Sequence, residues 1–502
     1  MGIIARQSIK GALANYLGVA IGFFVQFFVV TKYLTTEEVG LTRVLVDAAM
    51  LFSSLAQFGT NSSIVKFFPH FNDGRRNHGI FGWSLLLPAI GFALMALVLL
   101  LFRGPLLTVY AEKSPLLADY FYLLPMLTFF ALYTAVFETN ASVLMRITVP
   151  KLVREVGIRL FNLAAYLLYG FHLISLDLFV WLFCGSYALA MLLNLFYLLK
   201  ISSFDLGIFK LDRAFLNRDR VKEMLRYSLY MTVMVLAGNI PLFNSLFLGA
   251  KAGLALTGVY TIASYVANVV EVPYRSLGAI SRPVVAAAVK EDNWTEVNRL
   301  GRQVSLHQML VSLIIFYLIW INIDALFAVI PNGADYVGGV GVVLLLGLAK
   351  VVNSSLSIAT DILNYSRHYF WGLPFIVLLT ASAIAFNSTL IGPMGISGAA
   401  CATLLAYIVY NIVLLLFIGR RLKVNILSVG QLKMLVIIGV LMLLDWIWNR
   451  WVGPALPLSV IAAAVVKTVV LGCFAAIAVY AWRISPTVNE MVRKTLHLGK
   501  KM

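Results

Sequence analysis

Long apolar stretches follow one another along nearly the whole 502-residue chain and leave no space for a sizeable soluble domain. A helix needs roughly 20 mostly apolar residues to cross the hydrocarbon core of a bilayer, and about fourteen stretches reach that length. Hydrophobic residues make up 61% of the chain and charged residues 12%, far from the balance of a globular protein. The sequence therefore predicts an all-α polytopic membrane protein.

Helices are favoured over a β-barrel for all of these stretches. Each stretch is continuous and rich in Leu, Val and Ile, whereas a membrane β-strand alternates apolar and polar residues over about ten positions. In lipid the backbone must satisfy its own hydrogen bonds, which a helix does within one segment. The predicted spans are 11–33, 41–65, 80–102, 116–138, 152–172, 176–199, 227–249, 254–274, 304–330, 338–360, 370–391, 395–418, 434–452 and 458–482.

The positive charges indicate how the chain is oriented. The formal net charge is +17. With the N-terminus placed in the cytoplasm, most Lys and Arg residues fall into inward-facing segments and few fall into outward loops. This asymmetry predicts that both termini are cytoplasmic. Since it also explains the high pI, no nucleic-acid partner is expected.

Sequence motifs for nucleotide, metal or redox chemistry are missing. No Walker A or other glycine-rich phosphate loop occurs, so we do not expect ATP to be the direct energy source. The six His residues lack metal-ligand spacing, and the three Cys residues all fall inside apolar stretches. We expect no resident cofactor or metal, and H⁺ or Na⁺ is the candidate coupling ion.

Weak internal repetition suggests a domain plan. Arg6-Gln7-Ser8 before the first span corresponds to Arg226-Tyr227-Ser228 before the seventh, and Gly40 in the second span corresponds to Gly258 in the eighth. Six spans separate the copies, so they share an orientation, which is typical of parallel transporter repeats around an interfacial ligand cavity. The predicted parts are an N-lobe with helices 1–6 at 1–200, a cytoplasmic amphipathic linker at 201–226, a C-lobe with helices 7–12 at 227–418, and two further helices with a basic cytoplasmic tail at 419–502.

The longest segments outside the spans are 201–226 and 275–303. The first has apolar and basic residues at helical spacing, which predicts a helix on the membrane surface. In the second, Asn293 followed three residues later by Glu296 predicts a capping box that opens a short surface helix.

Five short motifs occur in the first 70 residues: Ile4-Ala5-Arg6-Gln7-Ser8-Ile9-Lys10, Asn15-Tyr16-Leu17-Gly18, Tyr33-Leu34-Thr35-Thr36-Glu37-Glu38-Val39-Gly40-Leu41, Phe58-Gly59-Thr60 and Lys66-Phe67-Phe68-Pro69. They resemble motifs of bacterial Wzx-type polysaccharide flippases, members of the multidrug/oligosaccharidyl-lipid/polysaccharide (MOP) exporter superfamily. Gly392-Pro393-Met394-Gly395-Ile396-Ser397-Gly398-Ala399-Ala400 resembles a glycine/alanine pattern of the wider superfamily. That superfamily also includes lipid II flippases and multidrug and toxin extrusion (MATE) antiporters.

The resemblance implies two six-helix lobes in a V shape, plus two C-terminal helices. It implies a flippase, not an enzyme, in the bacterial cytoplasmic (inner) membrane. Its substrate would be an undecaprenyl-diphosphate-linked oligosaccharide of an O-antigen, capsule or exopolysaccharide pathway, moved to the outer leaflet by alternating access. A polysaccharide polymerase and chain-length machinery would be its protein partners, and the bilayer its surroundings.

Charges inside spans are costly, so each marks a candidate site. Arg43 and Asp47 are four residues apart in the second span, on one helical face. They fit an intrahelical ion pair and also a cavity arginine that meets the substrate diphosphate while Asp47 holds it in place. Lys350 lies in the middle of the tenth span and is a second candidate for substrate binding.

The remaining candidates lie near span ends or in the last helix. Arg154 and Arg159 would attract an anionic head group. The resemblance to lipid II flippases implies a lipid-tail groove at the last two helices, where Lys467 in the fourteenth span would meet a phosphate. Both interpretations compete with a structural one, in which these residues are ordinary flanking charges or members of structural ion pairs. The candidate coupling or gating residues are Asp47, Glu138, Asp361, Glu271 and Arg275, with Glu271 and Arg275 spaced for an intrahelical pair.

Two other functions compete with the flippase. A cation-coupled multidrug antiporter of the MATE type should carry a buried acidic site early in the N-lobe, whereas the first span has no carboxylate. A membrane-embedded polysaccharide polymerase or ligase usually needs a large outward loop with catalytic residues. The predicted outward loops are short, so the enzyme is the poorer interpretation.

Overall fold

The computed structural model describes residues 14, 17–71, 80–201, 218–455, 459–485 and 489–490. These residues form helices joined by short connections, and no strand occurs among them. The helices are α1 (Leu17–Tyr33), α2 (Thr36–Ala56), α3 (Thr60–Phe71), α4 (Ile80–Leu101), α5 (Arg103–Ala111), α6 (Pro115–Tyr120), α7 (Leu123–Val143), α8 (Thr148–Leu152), α9 (Ile158–Gly170), α10 (Leu176–Ile201), α11 (Arg218–Ala237), α12 (Ile240–Lys251), α13 (Leu254–Asn268), α14 (Val272–Lys290), α15 (Trp294–Ile321), α16 (Ile323–Val329), α17 (Val340–Tyr365), α18 (Gly372–Arg421), α19 (Val429–Ile447) and α20 (Val460–Ala481).

The predicted all-α membrane fold is confirmed. Within the described ranges, nine helices are long and apolar enough to cross a membrane, and α1 is a shorter apolar helix. One of the nine, Tyr369–Arg421, contains α18 and carries two predicted spans. Gly395 interrupts α18 with φ 56° and ψ −133°, a conformation that glycine adopts without steric cost. The predicted boundary between the eleventh and twelfth spans therefore coincides with a real break.

Two predicted segment boundaries are wrong. The Asn293 side chain accepts a hydrogen bond from the backbone N–H of Glu296, as expected of a cap, but the helix that it opens is not short. It continues without a break as α15 for 28 residues, because no proline intervenes before Ile321. In the same way, α11 begins at Arg218 inside the predicted linker. Residues 202–217, where most of the predicted surface helix falls, lie outside the described residues.

Two compact units divide the chain. Unit 1 comprises Met1–Ile262 and Ile391–Ile396, and unit 2 comprises Ala263–Leu390 and Ser397–Met502. In unit 1, buried residues of α2, α7 and α10, such as Leu132, pack together. In unit 2, Phe316 of α15 lies in a core that α19 and α20 complete through Leu441 and Leu471. The last two helices are therefore part of the packed core of unit 2.

A close helix crossing inside unit 1 depends on two glycines. A Cβ atom at Gly40 of α2 would lie 2.0 Å from the carbonyl oxygen of Leu254, and one at Gly258 of α13 would lie 1.9 Å from that of Thr36. Only glycine permits this backbone contact, as at close crossings of other membrane helices. These are the two glycines that the repeat comparison matched, and they meet each other.

Candidate functional site

Several ion pairs join charged side chains within the described helices and the turns between them. Charge in an apolar span is costly unless it is paired, so each pair is either part of a functional site or a structural contact. Five of these pairs are Arg43–Asp47, Arg154–Glu138, Lys350–Glu271, Arg282–Asp361 and Lys467–Asp445.

The first pair lies on α2 and is completed by α12. Arg43 Nε donates a hydrogen bond of 2.6 Å to Asp47 Oδ2, as the spacing of four residues predicted. Ser245 of α12 donates its hydroxyl to the same carboxylate oxygen, also at 2.6 Å. The capping box of Thr35 and Glu38 fixes the start of α2 one to two turns earlier. The carboxylate is thus held from two helices.

The two charges of this pair differ in exposure. The Arg43 side chain is 26% exposed, whereas that of Asp47 is 4% exposed. The buried carboxylate therefore positions the guanidinium, and part of the guanidinium side chain stays accessible. A guanidinium can donate two parallel hydrogen bonds to one phosphate, which makes this arrangement better suited to an anion than to a cation.

A second group of charged side chains lies at the junction between α8 and α9. The connection is a turn of π-helix, Val153–Gly157, a local widening that is frequent at functional sites. It carries Arg154 and Glu155. Arg154 Nη1 donates to Glu138 Oε2 of α7 at 2.8 Å, and its Nε donates to Glu155 Oε1 at 3.2 Å. Arg154 thus contacts acidic side chains of both α7 and the π-helical turn.

Arg159 extends this group toward α1. Its Nη2 lies 3.3 Å from Glu155 Oε2, and its Nη1 donates to the carbonyl oxygen of Gly18. Gly22 makes room for the guanidinium, because a Cβ atom there would lie 2.1 Å from Arg159 Nη1. The group alternates basic and acidic side chains, with Arg154 the most exposed of its charged members.

Lys350 of α17 lies in unit 2 and is buried against a carboxylate. Its Nζ donates to Glu271 Oε2 at 3.1 Å, and Asn353 Nδ2 donates to Glu271 Oε1 at 3.1 Å. Glu271 ends the short 3₁₀ turn Val269–Glu271 that follows α13. The predicted contact between Glu271 and Arg275 lies outside the described side chains, since that of Arg275 is not among them.

Asp361, near the end of α17, has a partner that the sequence did not suggest. Arg282 Nε of α14 donates to Asp361 Oδ2 at 3.1 Å, and Arg282 Nη2 donates to the hydroxyl of Tyr274 at 2.8 Å. Arg282 was not among the predicted site residues. The signal that was available is a basic residue within an otherwise apolar stretch.

Lys467 is enclosed between α19 and α20. Its Nζ lies 2.6 Å from Asp445 Oδ1 and donates to Asn449 Oδ1 at 2.8 Å. Both charged side chains are 8% exposed. The next residue along α20, Thr468, exchanges hydrogen bonds with Asn322, which lies between α15 and α16. These contacts fasten the last two helices together and to α15.

The predicted site residues thus fall into separate groups. The structure places Arg43 with Asp47, places Arg154 and Arg159 with Glu138, and places Lys350 with Glu271; Asp361 and Lys467 lie in groups of their own. Sequence reasoning missed four partners, which are Ser245, Arg282, Asp445 and Asn449. Described residues contain no group of three or more His, Cys, Asp or Glu side chains arranged to hold a metal ion.

The helical architecture defines a multi-pass α-helical membrane protein, and comparison with known proteins identifies its family. A model described as polysaccharide biosynthesis protein matches residues 7–287, more than half of the chain. The chain belongs to the polysaccharide biosynthesis protein family. No curated protein matches the sequence.

Solved structures of MOP-superfamily proteins share the fold. The lipid II flippase MurJ in an inward closed conformation has a TM-score of 0.68 and 12% identity, over 95% of this chain and 100% of its own. An inward-facing MATE family multidrug transporter has a TM-score of 0.59 and 17% identity, over 84% and 98%. A MOP superfamily transporter from Pyrococcus furiosus has a TM-score of 0.52 and 17% identity, over 84% and 95%. At these identities the likeness shows the fold alone, and it confirms the predicted fold class.

Proposed function

We propose that the protein is a flippase that moves an undecaprenyl-diphosphate-linked oligosaccharide from the inner to the outer leaflet by alternating access. Membership of the polysaccharide biosynthesis family and a fold like that of a lipid II flippase support this proposal. The observation that carries it is the partly exposed side chain of Arg43, whose guanidinium is held by the buried carboxylate of Asp47. A diphosphate is the anionic part of such a substrate, and Arg binds phosphate with two donors at once.

Each predicted residue has a role in this proposal. Arg43 binds the diphosphate, and Arg154 and Arg159 attract the anionic head group beforehand. Lys350 contacts the substrate only when its pair with Glu271 opens, since both side chains are mostly buried. Glu138, Asp361 and Arg275 take part in gating. Lys467 is assigned a structural role, because Lys467 and Asp445 are both largely buried between α19 and α20.

The charge asymmetry and the family support a proposal for the membrane, the topology and the pathway of the protein. We place the protein in the bacterial cytoplasmic (inner) membrane with both termini in the cytoplasm. A polysaccharide polymerase with its chain-length machinery would receive the product in an O-antigen, capsule or exopolysaccharide pathway. H⁺ or Na⁺ would drive the cycle by exchanging with one of the paired carboxylates.

A MATE-like antiporter is the second candidate, favoured by the likeness to MATE transporters. It would need an acidic side chain that is accessible to an organic cation. In the described helices the carboxylates of Asp47, Glu271 and Asp445 are instead buried or nearly so and face basic side chains. This pairing favours an anionic substrate over a cationic one.

Transport by the purified protein in proteoliposomes distinguishes the candidates. We expect protein-dependent transbilayer movement of a polyprenyl-diphosphate oligosaccharide, and none of an organic cation driven by an H⁺ or Na⁺ gradient. Liposomes without protein serve as the control for spontaneous movement. Cation efflux without glycan movement would establish the antiporter and reject the flippase.

A further inference from the structure

A cavity of about 710 Å³ with several polar and basic side chains in its wall lies in unit 2. It forms where the first turns of α15 meet the segment before α19 and the segment after α20. Its walls include Arg299, Arg302 and His307 of α15, together with Ser428 and Ser485. Among the described residues no carboxylate lines the cavity. Its volume is in the range of roughly 300–1,000 Å³ that small-molecule sites occupy.

The wall of this cavity is held in place by hydrogen bonds between distant segments. Asn298 accepts a bond of 2.8 Å from the backbone N–H of Asn425 and donates one of 3.3 Å to the carbonyl oxygen of Lys423. At the other side, His307 Nε2 lies 2.9 Å from the hydroxyl of Ser485. The cavity is therefore shaped by three separate parts of the chain.

Arg302 is the main source of positive charge in the wall of the cavity. Its Nε donates to the carbonyl oxygen of Asn425 at 2.8 Å, which orients the guanidinium and leaves its two terminal nitrogens without a partner among the described residues. Arg299 is already engaged by Glu296 through bonds of 2.7 and 2.6 Å, so it contributes less. The arrangement presents an oriented pair of donors to an anion.

The surroundings indicate an amphipathic ligand. Trp482, three residues before Ser485, is 45% exposed, as is typical of aromatic side chains at a membrane interface. On α19, which begins directly after Ser428, Leu432, Leu435 and Val436 are spaced three and four residues apart and share one helical face. These three side chains are 64%, 53% and 47% exposed. A cavity with polar and basic side chains thus lies beside an exposed apolar face of α19.

We propose that this cavity binds the phosphate of an anionic membrane phospholipid, with the acyl chains lying along the exposed face of α19. Basic pockets between membrane helices bind such head groups on the cytoplasmic side, where the predicted orientation places this end of α15. Inorganic phosphate shares the head group's charge but has no chains for the apolar face. The proposal is independent of what the protein transports.

Native mass spectrometry and thermal unfolding of the purified protein test the site. The detergent-solubilised chain is incubated with phosphatidylglycerol, with phosphatidylcholine, or with inorganic phosphate. We expect phosphatidylglycerol to be retained and to raise the Tm, and the other two to do neither. Arg302→Gln should weaken phosphatidylglycerol binding about five-fold, the contribution of one basic side chain at a membrane surface.

Arg421→Gln is the matched control, because Arg421 is an exposed arginine at the end of α18 that does not line the cavity. It should leave lipid binding unchanged, and Arg302→Lys should retain most of it. If Arg302→Gln fails to fold, Arg299→Gln tests the same cavity with a smaller expected loss. Equal retention of both lipids, equal loss in Arg421→Gln, or stabilisation by inorganic phosphate alone would overturn the lipid assignment.

Discussion

The Arg43 site of unit 1 and the Lys467 site of unit 2 use the same components and differ in what they leave accessible. Each places a basic side chain against a carboxylate, and each carboxylate lies near a polar side chain, Ser245 or Asn449. At the first site only the carboxylate is closed off, with 4% of its side chain exposed against 26% for the arginine. At the second site both partners are 8% exposed. The difference separates a partly exposed basic side chain from one that is enclosed between two helices.

The largest effect on stability is expected from breaking the Lys467–Asp445 ion pair. Asp445→Ala leaves Lys467 buried without a counter-charge, which costs about 3–5 kcal/mol. We expect a clear loss of thermal stability and yield in detergent. The double variant Asp445→Leu/Lys467→Met removes both charges and should unfold at a temperature near that of the native protein. A double variant as unstable as the single one would show that the polar contacts, and not the charge balance, hold α19 and α20.

At the Arg43–Asp47 pair, Ser245→Ala removes one hydrogen-bond donor from the buried carboxylate of Asp47. A hydrogen bond to a charged group contributes about 1.5–3 kcal/mol, so we expect a moderate loss of stability measured by thermal unfolding. Ser63→Ala is the matched control, since the buried hydroxyl of Ser63 has no hydrogen-bond partner among the described residues. If the two variants behaved alike, Ser245 would not be holding Asp47.

The smallest effect is expected at the glycine crossing of unit 1. Gly258→Ala places a Cβ atom against the backbone of α2, and overpacking of this kind costs about 1–3 kcal/mol. Gly472→Ala in α20 adds the same atom where no neighbour lies within 4 Å. We expect the first variant to unfold at a lower temperature and the second to be unchanged or slightly stabilised. Equal melting temperatures would mean that the crossing tolerates a methyl group.

Sequence reasoning reached the fold because apolar length and charge asymmetry are local properties of the chain. It also found Arg43 with Asp47, since a spacing of four residues brings side chains together on any helix. Ser245 lies 198 residues from Asp47, and Glu271 lies 79 residues from Lys350. Such contacts depend on which helices are neighbours, and periodicity does not determine that.

Helix ends were the other weak point. The cap at Asn293 was identified, but the length of α15 was not, because charged residues in its first two turns read as a surface segment. Long polar side chains at a membrane helix end extend to the interface and do not stop the helix. The partner of Lys467 was missed although Asp445 lies in a predicted span, since the two belong to different helices.

Comparing charge removal at the two sites in one transport assay tests the central claim most directly. Polyprenyl-diphosphate oligosaccharide movement in proteoliposomes is measured for Arg43→Gln and for Asp445→Leu/Lys467→Met. Arg43→Gln should slow movement about 30-fold, the equivalent of about 2 kcal/mol for a charge-assisted phosphate contact. The double variant should retain the native rate. Full activity in Arg43→Gln, or loss of activity in the double variant at native stability, would contradict the assignment of the ligand to Arg43.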